Sequence, residues 1–274
     1  MNNFYSHGKL LLTGEYVVLD GALSLAIQTN FGQSLRIEDN TIVELHCVSL
    51  DEKNQVWFEE KFIIENNNVR QLVQNGNSIS NRLLQLLNVT KNLNSNFLAN
   101  DKGYKVTTHL EFQRNWGLGT SSTLINNIAK WANINPYELL NLTFGGSGYD
   151  IACAESNTPI TYMINDKREI KPINFNPSFK GNLYFVYLNQ KQNSRDGIAT
   201  YRANTSDLKQ EITSINQITQ DMIDCDSLER FQKLIDRHEQ IISNIIKQQP
   251  VQELLFKDFK GSIKSLGAWG GDFV

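Results

Sequence analysis

The sequence has too few cysteines and histidines for a cross-linked or zinc-bound scaffold. Its 274 residues include three cysteines, Cys47, Cys153 and Cys225, which are widely spaced and form no C-x-x-C pair. A disulfide framework or a structural zinc site needs a different cysteine pattern. The four histidines show no metal-ligand spacing. We therefore expect three buried thiols rather than disulfides or a zinc site.

Long apolar runs and an excess of positive charge are also missing. No run approaches the roughly 20 apolar residues of a membrane-spanning helix. Residues 1–4 have neither the basic start nor the apolar core of a signal peptide. The formal net charge of −3 provides no basic surface for nucleic acid. We expect a cytoplasmic protein that binds neither a membrane nor nucleic acid, and we leave a homodimer open.

Three widespread catalytic signatures are absent as well. Gly8 and Lys9 lack the upstream glycine of a Walker A loop. Neither Ser121 nor Ser147 lies in the G-x-S-x-G pattern of a serine-hydrolase elbow, and the H-R-D and D-F-G elements of protein kinases are missing. Function must therefore come from other residues.

The composition is that of an ordinary globular protein with one large or two average domains, since 40% of the residues are hydrophobic and 20% are charged. Alternating runs predict strands, with an antiparallel meander before residue 65, and apolar residues at helical spacing predict helices. The polar stretch 166–180 is the best candidate for a domain boundary. His238, between Arg237 and Glu239, is expected on the solvated side of its helix. The predicted strands are residues 10–12, 16–19, 34–37, 42–48, 56–64, 104–110 and 183–188, and the predicted helices are residues 79–87, 124–132, 137–142, 207–223 and 228–246.

Three glycine-rich segments stand out from this background. Residues 115–123 (NWGLGTSST) place two glycines and three small hydroxyl residues before a predicted helix, which is typical of an anion site at a helix N-terminus. An ordinary glycine turn with a Ser/Thr cap is the alternative. Residues 144–152 (FGGSGYDIA) contain Asp150, which is either a functional carboxylate or a helix cap. Residues 261–274 form the third cluster.

The order of these segments resembles the GHMP kinases, the superfamily of galactokinase, homoserine kinase, mevalonate kinase and phosphomevalonate kinase. The first family motif, P-G-K-x-x-L-x-G-E-[HY], is similar to residues 7–16 (HGKLLLTGEY), and the second, G-L-G-S-S-[AS], to residues 117–122 (GLGTSS). An S-G-x-D element matches residues 147–150, and the third motif, K-x-[TS]-G-A-G-G-G-[GD], resembles residues 264–272 (KSLGAWGGD). The run GYDIA is similar to that of a bacterial branch of the superfamily. Among characterised members, phosphomevalonate kinase looks closest and mevalonate kinase next.

The resemblance implies an α+β protein with the two-domain GHMP kinase fold. Residues 1–168 would form an ATP-binding domain of the ribosomal protein S5 domain 2 type, and residues 169–274 a ferredoxin-like C-terminal domain. The implied reaction transfers the γ-phosphate of ATP, with Mg²⁺, to a hydroxyl or phosphate of a small metabolite. Mevalonate and phosphomevalonate, from the isoprenoid precursor pathway, are the favoured acceptors.

The resemblance also implies a role for each matched residue. Asp150 would position the acceptor hydroxyl and take its proton, and Lys9 would stabilise negative charge on the acceptor oxygen and γ-phosphate. The nucleotide phosphates are expected at Gly117, Leu118, Gly119, Thr120, Ser121 and Ser122, with Ser121 also a Mg²⁺ ligand. The acceptor is expected at Glu15, Tyr16, Ser147, Gly267, Ala268 and Gly270.

Several positions depart from the family pattern. Trp269 replaces a glycine of the third motif, so we expect its ring to narrow the acceptor side. His7 replaces a proline, and Glu138 is the one acidic residue offered as a second Mg²⁺ ligand before Asp150. The family continues past the third motif, so we expect this chain to lack a closing strand, by truncation or by loss.

Other interpretations stay open. Lys191, Ser194 and Arg195 form a small basic cluster that either binds an anionic group of the acceptor or is a solvated loop. A lyase similar to diphosphomevalonate decarboxylase would be identified by carbon dioxide release. A non-catalytic nucleotide- or metabolite-binding protein is the third alternative. The presence of both Lys9 and Asp150 speaks against it, because a binder needs no acceptor-activating pair.

Overall fold

The computed structural model describes residues 1–65, 68–73, 76–99, 102–191, 194–203 and 207–274, without the side chains of Ser194 and Arg195. The strands are β1 (Asn2–Leu11), β2 (Ser24–Asn40), β3 (Leu45–Leu50), β4 (Val56–Glu65), β5 (Asn68–Gln71), β6 (Gly103–Leu110), β7 (Ile160–Ile164) and β8 (Arg168–Pro172). The helices are α1 (Ser78–Leu93), α2 (Thr120–Ala132), α3 (Pro136–Thr143), α4 (Tyr149–Glu155), α5 (Ser194–Ala203), α6 (Lys209–Ile223), α7 (Leu228–Ile246) and α8 (Val251–Leu255). None of the helices in these ranges has the length and apolar character needed to cross a bilayer.

The chain forms two compact units, each made of several segments. Unit 1 comprises Met1–Gly8, Thr29–Arg114 and Leu118–Glu155. Unit 2 comprises Lys9–Gln28, Asn115–Gly117 and Ser156–Val274. Strands β1 and β2 each contribute residues to both units. The predicted domain boundary between residues 168 and 169 stays a prediction.

Unit 1 contains a mixed sheet in the order β5-β4-β3-β6-β2. Strands β3, β4 and β5 pair antiparallel, as the meander predicts. The continuation of the meander to β2 is wrong, because β6 lies between β2 and β3 and runs parallel to β3. A parallel pair needs a long crossover connection, and α1 lies in the connection that leads back to β6. The core of this unit includes the fully buried side chains of Leu35, Leu45, Phe62, Leu86, Ile125 and Ile151.

A buried polar network fixes α2 on this sheet. Ser6 Oγ donates to Asn127 Oδ1 at 2.7 Å, and Asn127 Nδ2 donates to the Gln33 carbonyl at 2.8 Å. Thr123 Oγ1 donates to Gln33 Oε1 at 2.7 Å. Ser6 and Gln33 belong to β1 and β2, so three elements share one set of bonds. Since a buried polar group without a partner is costly, the network specifies the position of α2.

Unit 2 is built mainly from α6, α7 and the residues around them. Strand β7 pairs antiparallel with Ser24–Ala26 of β2 on one side and with β8 on the other. Helix α7 has the predicted bounds, and α6 begins two residues later than predicted. The core of unit 2 includes Val17, Tyr201, Ile215, Ile218, Met222, Ile242 and Trp269. All three cysteines are buried free thiols, as predicted.

Two predicted strands of unit 2 are wrong. Residues 16–19 are not a strand, because Tyr16 and Gly21 have φ of 64° and 87° and enclose a 3-10 helix at Val17–Asp20. Val17 and Val18 are buried and Leu19 is partly buried, but all three lie on a turn. Where a strand was predicted at residues 183–188, the described residues show an isolated antiparallel bridge between Tyr187 and Phe273.

We predict that Asn127→Leu lowers the free energy of unfolding by about 2–4 kcal/mol, because Ser6 and the Gln33 carbonyl lose their bonds to this side chain. Urea denaturation followed by circular dichroism measures the change. Asn141→Leu, on the exposed side of α3, is the matched control. Equal effects of the two substitutions would contradict the role of the network.

Candidate functional site

The second motif forms a glycine turn that leads directly into α2. Gly119 has φ of 97° and is the N-cap of the helix, which therefore starts at Thr120, four residues before the predicted start. Among the described residues, no side chain caps this N-terminus. Ser122 and Thr123 instead donate their hydroxyls to the Gly119 carbonyl. The first N–H groups of the helix therefore have no side-chain cap among the described residues, which is what the predicted anion site requires.

The hydroxyl residues of this turn differ in exposure. Ser121 is exposed, whereas Ser122 and Leu118 are buried. Thr120 and Gly119 are partly buried. Ser121 is therefore the most exposed hydroxyl residue of this segment. Leu118 anchors the turn in the interior.

Asp150 lies in the first turn of α4, which packs against α2 within unit 1. The three glycines that precede it, Gly145, Gly146 and Gly148, have φ of 69°, 109° and 87°. A backbone of this kind strongly favours glycine, which explains the glycine cluster. Asp150 is partly buried, and its Oδ1 accepts the Ile151 N–H at 3.1 Å. Ser147, also predicted for the site, is buried two residues before α4. Unit 1 thus holds the start of α2 and Asp150 on neighbouring helices.

Unit 2 holds the remaining predicted residues. Lys9, on β1, donates from Nζ to the Gly117 carbonyl at 2.9 Å. Gly117 has φ of 70°, and a Cβ added there would overlap the Asp272 carboxylate. Residues 9, 117 and 272 come from three of the sequence motifs. The structure therefore brings parts of the first, second and third motifs together.

Glu15 is fully buried in a cluster of charged side chains. Its Oε1 lies 2.6 Å from Lys264 Nζ, and its Oε2 lies 3.3 Å from His238 Nε2. Lys264 Nζ is also 3.5 Å from Glu239 Oε1. Two carboxyl groups, one ammonium group and one imidazole thus share a site with little access to water. We name these four residues the Glu15 cluster.

Burial governs ionisation in the Glu15 cluster. It raises the pKa of Glu15 to about 7, even though Lys264 acts in the opposite direction. Burial also raises the pKa of Glu239 against the effect of Lys264. The pKa of His238 is lowered well below its ordinary value, by burial first and by the Lys264 charge second. His238 is therefore neutral at pH 7, and Glu15 titrates near that pH.

Tyr16 and the third motif meet next to this cluster. The Tyr16 hydroxyl donates to the Ala268 carbonyl at 2.6 Å, and its ring stacks on Tyr201. Gly267 and Gly270 have φ of 69° and 80°, which lets the loop turn on both sides of Ala268. Trp269 has φ of 56° and is 1% exposed, so its ring fills the core of unit 2.

Three members of the Glu15 cluster were missed or misplaced by the sequence analysis. The prediction for His238 is wrong, because the side chain is fully buried. Its charged neighbours suggested solvent, but buried Phe231, Leu234 and Ile242 place His238 on the apolar stripe of α7. Lys264 and Glu239 received no role from the sequence. Lys264 is the first residue of the third motif, and this position could have identified it as a candidate site residue.

Two other predictions concern charged groups. Lys191 of the predicted basic cluster is exposed, and the side chains of Ser194 and Arg195 lie outside the described residues. Among the described residues, no group of three or more His, Cys, Asp and Glu side chains could hold a metal ion. One hydroxyl ligand, that of Ser121, would be enough for a Mg²⁺ ion that arrives with the nucleotide phosphates, since this ion keeps several waters and few protein ligands.

Comparisons with known proteins identify the fold. No protein-family model and no curated protein matches the chain. Mevalonate kinase from Methanococcus jannaschii matches with a TM-score of 0.71 at 15% identity, over 99% of this chain and 89% of that one. Phosphomevalonate kinase from Streptococcus pneumoniae, in complex with phosphomevalonate and AMPPNP, gives 0.70 at 16% identity, over 100% and 91%. Galactokinase from Lactococcus lactis, with galactose, gives 0.67 at 15% identity, over 99% and 84%.

These matches confirm the predicted α+β fold of the GHMP kinases. They extend over nearly the whole chain, so the likeness includes both the N-terminal and the C-terminal segments. The roles of the predicted site residues stay predictions.

We predict that Gly117→Ala destabilises the protein by about 1–3 kcal/mol, because the new Cβ meets the Asp272 carboxylate at a strained φ. Gly181→Ala is the matched control, since no described atom lies within 4 Å of its added Cβ. Thermal or urea unfolding of both variants tests the difference. A Gly117→Ala variant as stable as Gly181→Ala would contradict this packing.

We predict that Glu15→Gln changes how stability depends on pH. The raised pKa of Glu15 means that the folded protein holds a proton which the unfolded chain releases above about pH 4.5. The stability of the wild type therefore falls, through this group, as the pH rises from about 4.5 to about 7. Glu15→Gln removes this loss, so its stability relative to the wild type should increase over the same range. Urea unfolding at several pH values measures it, and a constant difference would disprove it.

Proposed function

We propose that the chain is an ATP-dependent kinase of the GHMP superfamily that phosphorylates a small metabolite. The observation that carries this proposal is the agreement between the motifs and the fold. Four sequence motifs occur in family order, and the fold matches GHMP kinases over 99–100% of the chain. At about 15% identity the acceptor does not follow from the fold.

The second motif and the S-G-x-D element supply the groups proposed for the nucleotide and for the acceptor proton. Backbone N–H groups at the start of α2 bind the phosphates, together with the dipole of the helix. Ser121 is the exposed hydroxyl that holds Mg²⁺, and the ion neutralises phosphate charge when bound. Asp150, on the helix beside α2, orients the acceptor and accepts its proton. Phosphoryl transfer depends mainly on such positioning and on charge stabilisation.

The first and third motifs supply positive charge and the proposed shape of the acceptor site. Lys9 stabilises the negative charge of the transferred group, and its bond to the Gly117 carbonyl fixes the ammonium in one place. The turn of residues 14–21, which we name the Tyr16 turn, and the third-motif loop around Ala268 form one side of the acceptor-binding site. Mevalonate and phosphomevalonate are the proposed acceptors, because the S-G-x-D-[IV]-A pattern and the final Gly-Asp of the third motif resemble kinases of that pathway.

We predict ADP formation when the purified protein is given Mg-ATP with mevalonate or phosphomevalonate. The panel also includes homoserine and galactose, and a coupled assay measures ADP. Release of carbon dioxide together with ADP would indicate the lyase alternative. ATP-analogue binding without ADP formation from any acceptor would indicate a non-catalytic binder and contradict the kinase proposal.

Asp150→Asn should reduce kcat by about a hundredfold or more, because the acceptor loses its proton acceptor. Binding of an ATP analogue, measured by calorimetry, should persist, since the nucleotide binds at the start of α2. Asp166→Asn, at an exposed position, is the matched control. Undiminished turnover in Asp150→Asn would remove this residue from the mechanism.

A further inference from the structure

Two short bonds join distant parts of the chain within unit 2. Lys264 Nζ lies 2.6 Å from Glu15 Oε1, and the Tyr16 hydroxyl donates to the Ala268 carbonyl at 2.6 Å. The first bond is buried on both sides. Neighbouring residues of one turn, Glu15 and Tyr16, are therefore each attached to the loop of residues 264–272. The position of Glu15 is therefore tied to this loop by a direct contact.

The charged and titratable groups that face Glu15 come from α7 and from the third motif. His238 and Glu239 belong to α7, and Lys264 belongs to the third motif. His238 Nε2 accepts the Gly14 N–H at 3.0 Å, so this nitrogen carries no proton and the ring proton is on Nδ1. Trp269 Nε1 donates to Glu239 Oε1 at 3.3 Å, which places its indole within the same set of contacts.

This tautomer of His238 has a consequence for Glu15. Oε2 of Glu15 lies 3.3 Å from the unprotonated Nε2, whose one lone pair already accepts the Gly14 N–H, and no described residue donates a hydrogen bond to Oε2. An ionised Oε2 would be a buried negative charge without a donor, whereas a protonated Oε2 can share the Nε2 lone pair. Hydrogen-bond geometry therefore favours a neutral Glu15. The positive charge of Lys264 is then balanced by the negative charge of Glu239 alone, so the cluster has no net buried charge.

We propose that Glu15 is a positioning residue whose neutral carboxyl holds the Tyr16 turn and the loop of residues 264–272 in place, and whose ionisation rearranges both. A substrate contact is not required for this role, since the side chain is fully buried. The effect on loop geometry is independent of the reaction. The effect on turnover rests on the proposed function, because the loop carries the predicted acceptor-binding residues.

The indole of Trp269 reports on loop geometry without any turnover. In a ¹⁵N spectrum, the Nε1–H signal assigned by its loss in Trp269→Phe should shift with a midpoint near pH 7, where Glu15 titrates. Glu15→Gln should abolish this transition, because Gln resembles the neutral acid. Glu229→Gln, at an exposed ion pair of α7, should keep it. A transition that persists in Glu15→Gln, or is absent from the wild type, would overturn the proposal.

Kinetics on the accepted substrate test the link to turnover. The wild-type kcat/KM for the acceptor should fall as the pH rises past about 7, and this fall should be absent in Glu15→Gln. Glu15→Ala, which loses both contacts, should raise the acceptor KM about tenfold and leave the KM for ATP nearly unchanged. A fall that survives in Glu15→Gln contradicts the role. Absence of turnover in the wild type would count against the proposed function, and the indole titration would then decide the positioning role alone.

Discussion

The ammonium group of Lys264 constrains how unit 2 is assembled. A buried charge is tolerated when counter-charges and hydrogen bonds surround it. Lys264 finds them in Glu15, near the start of the chain, in Glu239 on α7 and in the carbonyl of Ser265. Three segments that are far apart in sequence must therefore come together in unit 2. The neutral state of His238 follows from the same burial and the same charge.

In unit 1, uncharged side chains hold helix α2 in place. Its helix α2 is fixed by amide and hydroxyl groups, among them Asn127, Thr123 and Gln33, all of which are fully or nearly fully buried. Neutral networks of this kind specify position and do not titrate near pH 7. The start of α2, where the anion site is predicted, therefore packs on neutral groups, whereas the Tyr16 turn contacts a carboxyl group that titrates near pH 7.

The sequence predicted those features that depend on local patterns. The bounds of α7 follow from helical spacing, and the glycines at positions 117, 119, 145 and 146 mark backbone with positive φ. The predictions that were wrong depend on pairing or burial between distant residues. The parallel β3–β6 pair requires a crossover that no local pattern indicates, and the burial of His238 requires partners more than 220 residues away. The roles of Lys9 and Asp150 came from family resemblance, since their neighbours in the sequence do not define a reaction.

Trp269 combines two opposing preferences at one position. Its backbone, at φ of 56°, favours glycine, while its large ring is buried in the core cluster of unit 2 that also contains Tyr16 and Tyr201. A relative with glycine here gains backbone freedom and loses core volume at once. Position 269 should therefore covary with the core positions around it during evolution, with glycine accompanied by larger neighbours. Such covariation would make the packing of this loop detectable from sequences, without a structure.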